Sequence, residues 1–122
     1  MRSPAHAARP GIHSLLLLVL LGLPGAAQAA GDAVQGKKVY QSNCVACHGT
    51  EADGNGPAAP ALRPPPADFT SAAFWGGRDD AKVKAVIRSG KPGTPMMAYG
   101  QLSDTQLDDL IAFLRSKVQT EG

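Results

Sequence analysis

Five consecutive residues, Cys44-Val45-Ala46-Cys47-His48, restrict this chain more than any other stretch. In a helix, the two-residue gap sets the sulfurs about one turn apart on one face. The imidazole follows directly. Thiols spaced in this way can add across the two vinyl groups of a porphyrin, and the adjoining histidine can reach the iron from the same side. C-x-x-C-H is the attachment pattern of c-type haem, and histidine nitrogen suits iron as a ligand. The same letters are also compatible with a zinc half-site, a thioredoxin-like dithiol or an ordinary disulfide.

The start of the chain narrows these choices. Arg2 and Arg9 give it a positive beginning, Leu15 to Leu23 is a nearly unbroken apolar run, and Pro24-Gly25 ends that run. Ala27-Gln28-Ala29 then offers an A-x-A cleavage site. This is the layout of a secretory signal peptide over residues 1–29, with one domain over 30–122 and export to the periplasm. The alternative is an uncleaved anchor, but the run is nine residues and a span needs about twenty. Cleavage after Ala29 would leave His48 as the only histidine, and Met96 and Met97 as the only methionines. A Cys2His2 zinc site and bis-histidine ligation within one chain are then excluded. With two cysteines in all, no disulfide framework supports a small exported domain. After residue 29 the ten basic and ten acidic side chains balance, so nothing suggests a nucleic-acid surface.

Hydrophobic periodicity predicts three helices. Residues 32–43 place Ala33, Gly36, Val39 and Tyr40 on one narrow face behind an Asp32 cap. Gly36 sits mid-helix, where glycine is unfavourable, and suggests either the close approach of another backbone or a tolerated weak spot. Residues 79–89 carry Val83, Val86 and Ile87 on one face, closed by Gly90 and Pro92. Residues 103–118 are the best specified: Ser103 and Gln106 form a capping box, with Leu102 and Leu107 placed for a hydrophobic staple. Leu107, Leu110, Ile111, Leu114 and Val118 make their stripe, with Phe113 beside it. Between residues 49 and 78, glycine and proline make regular structure improbable, apart from a short helical turn at 71–75. Leu62, Phe69, Phe74 and Trp75 in that stretch are expected to pack on a flat cofactor. No strand alternation occurs, so the class is all-α.

With these pieces in order, the chain resembles the class I cytochrome c family along residues 30–122. Gly36 and Tyr40 look like the family's N-terminal helix, and Leu110-Ile111-Ala112-Phe113-Leu114 is similar to its C-terminal L-I-x-[YF]-L. The resemblance implies a small fold of three main helices wrapped around one haem c, covalently held by Cys44 and Cys47, with the two terminal helices crossing closely at Gly36. Pro60-Ala61-Leu62 is similar to the family's P-x-L, which implies that the Pro60 carbonyl holds the Nδ1–H of His48 and leaves Nε2 for iron. Gly93-Thr94-Pro95-Met96 followed by Tyr99 is similar to G-T-x-M-P-x-F, which makes Met96 the second axial ligand. Met97 stands where the family usually has proline, and is the other candidate. Cys44, Cys47, His48, Pro60, Leu62, Trp75, Met96 and Tyr99 are thus the expected cofactor contacts, with His48 and Met96 on the metal.

Imidazole and thioether together would leave no coordination position for a substrate. The expectation is a periplasmic one-electron carrier rather than an enzyme, docking transiently with redox proteins through small contacts, as a monomer or within a redox complex. A haem subunit of a larger dehydrogenase or oxidase is the alternative, followed by a sensor or peroxidase with an open sixth site. Lys37, Lys38, Lys82, Lys84, Arg88 and Lys91 could steer acidic partners or simply solvate helix faces.

Overall fold

The computed structural model describes residues 1–5, 7, 8, 11, 22 and 31–120. The expected cleavage site at Ala27-Gln28-Ala29 falls outside them, as does the apolar run apart from Gly22. From residue 31 the elements are α1 (Ala33–Asn43), α2 (Val45–His48), a 3-10 turn (Ala59–Ala61), α3 (Ala72–Trp75), α4 (Asp80–Ser89) and α5 (Asp104–Ser116). No strand occurs among the described residues, and none of their helices is long and apolar enough to cross a membrane.

The helices begin where short polar side chains can take up free backbone N–H groups. Asp32 Oδ1 accepts from the Val34 and Gln35 amides at 2.8 and 3.2 Å, and Asp79 Oδ1 from the Lys82 amide at 2.8 Å. At α5 the capping box closes in both directions: Ser103 Oγ accepts from the Gln106 amide at 3.1 Å, and Gln106 Oε1 from the Ser103 amide at 2.9 Å. Val118, expected inside this helix, lies beyond its end at Ser116.

Helices α1 and α5 form the frame. A Cβ on Gly36 would sit 1.8 Å from the Asp109 carbonyl oxygen, so only glycine permits this crossing. Gly31 makes a second approach, with the Asp108 carbonyl oxygen 2.0 Å from where its Cβ would lie. The Asp32 amide donates to Asp109 Oδ1 at 2.7 Å, fixing the start of one helix on the side of the other. Below the crossing, the Tyr40 and Phe113 rings lie 5.1 Å apart. Leu107, Leu110 and Leu114 are fully buried beside them. Helix α4 closes the core with Val83 and Ile87. Its outer face is tied to α5 by Lys84–Asp108, Arg88–Asp104 and Arg115–Asp80 pairs.

The long segment after the attachment motif is irregular but anchored. The Gly54, Gly56 and Ala58 amides donate to the His48, Cys47 and Ala46 carbonyls at 2.9, 3.1 and 2.9 Å. These carbonyls end a short helix and have no partner within it. Tyr40 Oη, fully buried, donates to the Gly49 carbonyl at 2.6 Å. The Phe69 amide donates to the Ala52 carbonyl at 2.9 Å, which returns the chain beneath α2.

Candidate functional site

Between α2, the returning loop, α4 and the strap from Gly90 to Gly100 lies one groove of about 700 Å³, within the range of cofactor sites. Cys44, Cys47 and His48 form one wall, Leu62, Pro64-Pro65-Pro66 and Phe69 a second, and Val83, Val86 and Ile87 of α4 a third. Met96, Met97 and Tyr99 line the groove from the strap. Its charged lining residues are Arg78, Lys82 and Lys91, with no carboxylate among them.

The α1–α2 junction sets the first wall. Cys44 ends α1, donating its amide to the Tyr40 carbonyl at 2.8 Å, and starts α2, accepting from the His48 amide at 2.9 Å. This puts both sulfurs and the imidazole on one turn. His48 Nδ1 lies 3.1 Å from the Ala67 carbonyl oxygen, and its ring packs on Phe69 with centroids 4.7 Å apart. Burial lowers the His48 pKa, partly opposed by the bond to Ala67. The imidazole is therefore neutral near pH 7, with Nδ1 as donor and Nε2 free to ligate. Burial pushes the Cys44 thiol up to about 11, with Cys47 adding to the effect.

Two expected contacts are corrected. The Pro60 carbonyl does not hold His48; it accepts from Arg63 Nη1 at 3.0 Å, and Pro60 borders a separate, smaller cavity. The 3-10 turn at Ala59–Ala61 turns this carbonyl away, while the loop's return at Phe69 brings the Ala67 carbonyl to the imidazole. Trp75 does not line the groove either. Its Nε1 donates to the Phe69 carbonyl at 3.0 Å, and the Arg115 guanidinium stacks 3.9 Å from its ring centroid, so it belongs to the α5 side. Leu62, Phe69 and Phe74, expected on the cofactor together with Trp75, do line the groove.

Met96 is half-buried and packed against the core, whereas Met97 is 64% exposed. Thr94 folds the strap around Met96: its Oγ1 accepts from the Met96 amide at 3.2 Å and donates to the Lys91 carbonyl at 2.7 Å. The Lys91 amide in turn donates to the Met96 carbonyl at 3.1 Å. Tyr99 Oη donates to the Asn43 carbonyl at 3.0 Å. Ala67, Asn43 and Arg78 were not expected at the site. Ala67 acts through its backbone, which no side-chain pattern marks, and Asn43 adjoins the motif without a signal of its own.

Two sulfurs one residue-pair apart, a neutral imidazole with one nitrogen already engaged, and apolar walls fit a flat tetrapyrrole bearing iron. They fit zinc poorly, since no cluster of three or more His, Cys, Asp or Glu side chains suited to a metal ion occurs among the described residues. The comparisons with known proteins point the same way. The family model described as "Cytochrome c" matches residues 33–117. The chain is 38% identical to "Cytochrome c4" of Pseudomonas aeruginosa over 108 residues, covering 87% of this chain and 48% of that protein. It is 32% identical to "Cbb3-type cytochrome c oxidase subunit FixP" of Bradyrhizobium sp. (strain ORS 278), covering 80% of this chain and 31% of that one. It thus spans about half or less of the length of these curated relatives. A chain of the Kuenenia stuttgartiensis reducing HAO-like protein complex Kustc0457/Kustc0458 superposes with a TM-score of 0.64 at 25% identity, over 74% of this chain and 44% of that one.

Proposed function

The chain belongs to the cytochrome c family, and from that premise and the groove's geometry we propose that it is a one-electron carrier whose iron is held between His48 and Met96. Its cofactor is haem c, bound through Cys44 and Cys47. When bound, haem supplies the one-electron couple. The observation that carries the reading is the groove itself, into which α2 brings an imidazole and the strap a half-buried thioether.

The rest of the work belongs to the protein. The Ala67 carbonyl fixes the tautomer and plane of His48 and raises its basicity. The Thr94 turn places Met96, and a thioether ligand favours the reduced state and raises the potential. Val83, Ile87 and Phe69, each buried, give the groove apolar lining. Haem iron held by His48 and Met96 would have no open position for substrate, which favours a carrier over an enzyme.

The N-terminal pattern of Arg2, the Leu15 to Leu23 run and Ala27-Gln28-Ala29 favours export to the periplasm, where the protein would dock transiently with redox partners through small contacts. Lys82 and Lys91 line the groove and enter no ion pair among the described residues, whereas Lys84 and Arg88 of α4 are paired with acids. The six cations considered either for steering or as solvated helix faces therefore divide, and those at the groove are placed to meet an acidic partner. The match to an oxidase subunit favours a second reading, a haem domain within a larger redox complex.

Carbon monoxide tests ligation. The wild-type ferrous protein should refuse it, Met96→Ala should bind it and show a lower potential, and Met97→Ala should resemble wild type. Ready binding by the wild type would replace the carrier with a sensor or enzyme. Binding by Met97→Ala instead would move the ligand by one residue.

A further inference from the structure

The strap that carries Met96 departs from the family's G-T-x-M-P-x-F pattern at two places. Met97 replaces a proline, and Tyr99 adds a hydroxyl to the aromatic ring. The first change removes a residue that restricts the unbound backbone. The second supplies a bond. From residue 90 to 100, every other polar bond of the strap to a described residue closes on the strap itself, on the end of α4 or on the next turn. The Lys91 and Met96 amides bond within the strap, the Tyr99 amide donates to the Ile87 carbonyl at 2.9 Å, and the Tyr99 carbonyl accepts from the Leu102 amide. Among the described residues only Tyr99 Oη reaches from the strap to the opposite wall, where it donates to the Asn43 carbonyl at 3.0 Å.

That carbonyl belongs to the last residue of α1, immediately before Cys44. It is one of the C-terminal helix carbonyls that has no partner within its helix. Asn43 and Tyr99 both line the groove, so the bond joins the strap to the wall that carries the attachment motif. We propose that the Tyr99 hydroxyl is a latch that holds the strap across the groove and so determines how readily Met96 gives up the sixth position to another ligand. Tyr99 is here a positioning residue, acting through Met96 rather than on iron. This rests on the carrier reading with Met96 as the ligand.

The test uses the haem-loaded protein in its ferric state, titrated with imidazole while the absorption of the sulfur–iron bond is followed. Tyr99→Phe keeps the ring against the groove and removes only the hydroxyl. It should bind imidazole about two- to tenfold more tightly than wild type, the factor that corresponds to one neutral hydrogen bond. Tyr40→Phe is the control, since its hydroxyl bonds the Gly49 carbonyl at 2.6 Å, away from the strap. It should melt earlier with unchanged imidazole affinity. Wild-type affinity in Tyr99→Phe, or an equal tightening in Tyr40→Phe, would overturn the latch. Absence of the sulfur–iron band from the wild type would overturn the Met96 reading as well, which separates the two failures.

Discussion

Gly36 carries more of the fold than any large side chain, because what it contributes is the absence of one. With the Asp109 carbonyl oxygen 1.8 Å from where a Cβ would be, Gly36→Ala cannot be absorbed by a rotamer change. Two helix backbones would have to separate. The gain in helix propensity is about 1 kcal/mol, whereas forcing atoms into a packed interface costs about 1–3 kcal/mol or more. Thermal unfolding of the loaded variant should show net destabilisation, and a stability equal to wild type would mean that the crossing is looser than described. Gly36 was legible because a mid-helix glycine next to an apolar face invites the question of what approaches it. Gly31 raises no such question, lying before the helix cap, yet it makes a contact of the same kind. The His48 partner was misread for a related reason. Pro60 has a pattern around it, but Ala67 offers only a backbone carbonyl, whose position depends on how a loop folds back nineteen residues later.

Among the elements, those with local start signals were readable and those positioned by distant contacts were not. Asp32 and Ser103 each cap the helix expected of them, and Asp79 caps α4, since a cap is decided within four residues. The Ser103–Gln106 box gives a direct test. Ser103→Ala removes the acceptor for the Gln106 amide at an exposed helix end, and loss of such a cap costs about 1 kcal/mol. Chemical denaturation should show this decrease with unchanged haem absorption, because α5 does not line the groove. A change in the spectrum would mean that the start of α5 is coupled to the cofactor. Trp75 illustrates the opposite case. Its place in an aromatic-rich loop suggested the groove, but Phe69, Phe74 and Trp75 pack on one another at 5.0–6.5 Å. Which of three touching rings faces the cofactor depends on Arg115 of α5, forty residues away in the chain.

For the whole molecule, the groove divides the chain into a frame and a lining. The frame of α1, α5 and the inner face of α4 has its own buried core. The lining of Leu62, the three prolines, Val86 and the strap packs chiefly towards the groove. Apoprotein lacking haem should therefore lose most of its fixed tertiary structure, as expected of a small domain without disulfides. Near-ultraviolet circular dichroism and a thermal scan would check this, and a sharp transition with native-like spectra would contradict it. The contact between Asp32 and Asp109, 77 residues apart, also gives assembly a direction in time. Cys44 and Cys47 exist on the growing chain long before residues 104–116, and α1 cannot complete its packing until α5 has been made. Early contacts of such long range are unfavourable to form. The thiols thus have an interval, created by chain order alone, in which the frame behind their wall is still incomplete.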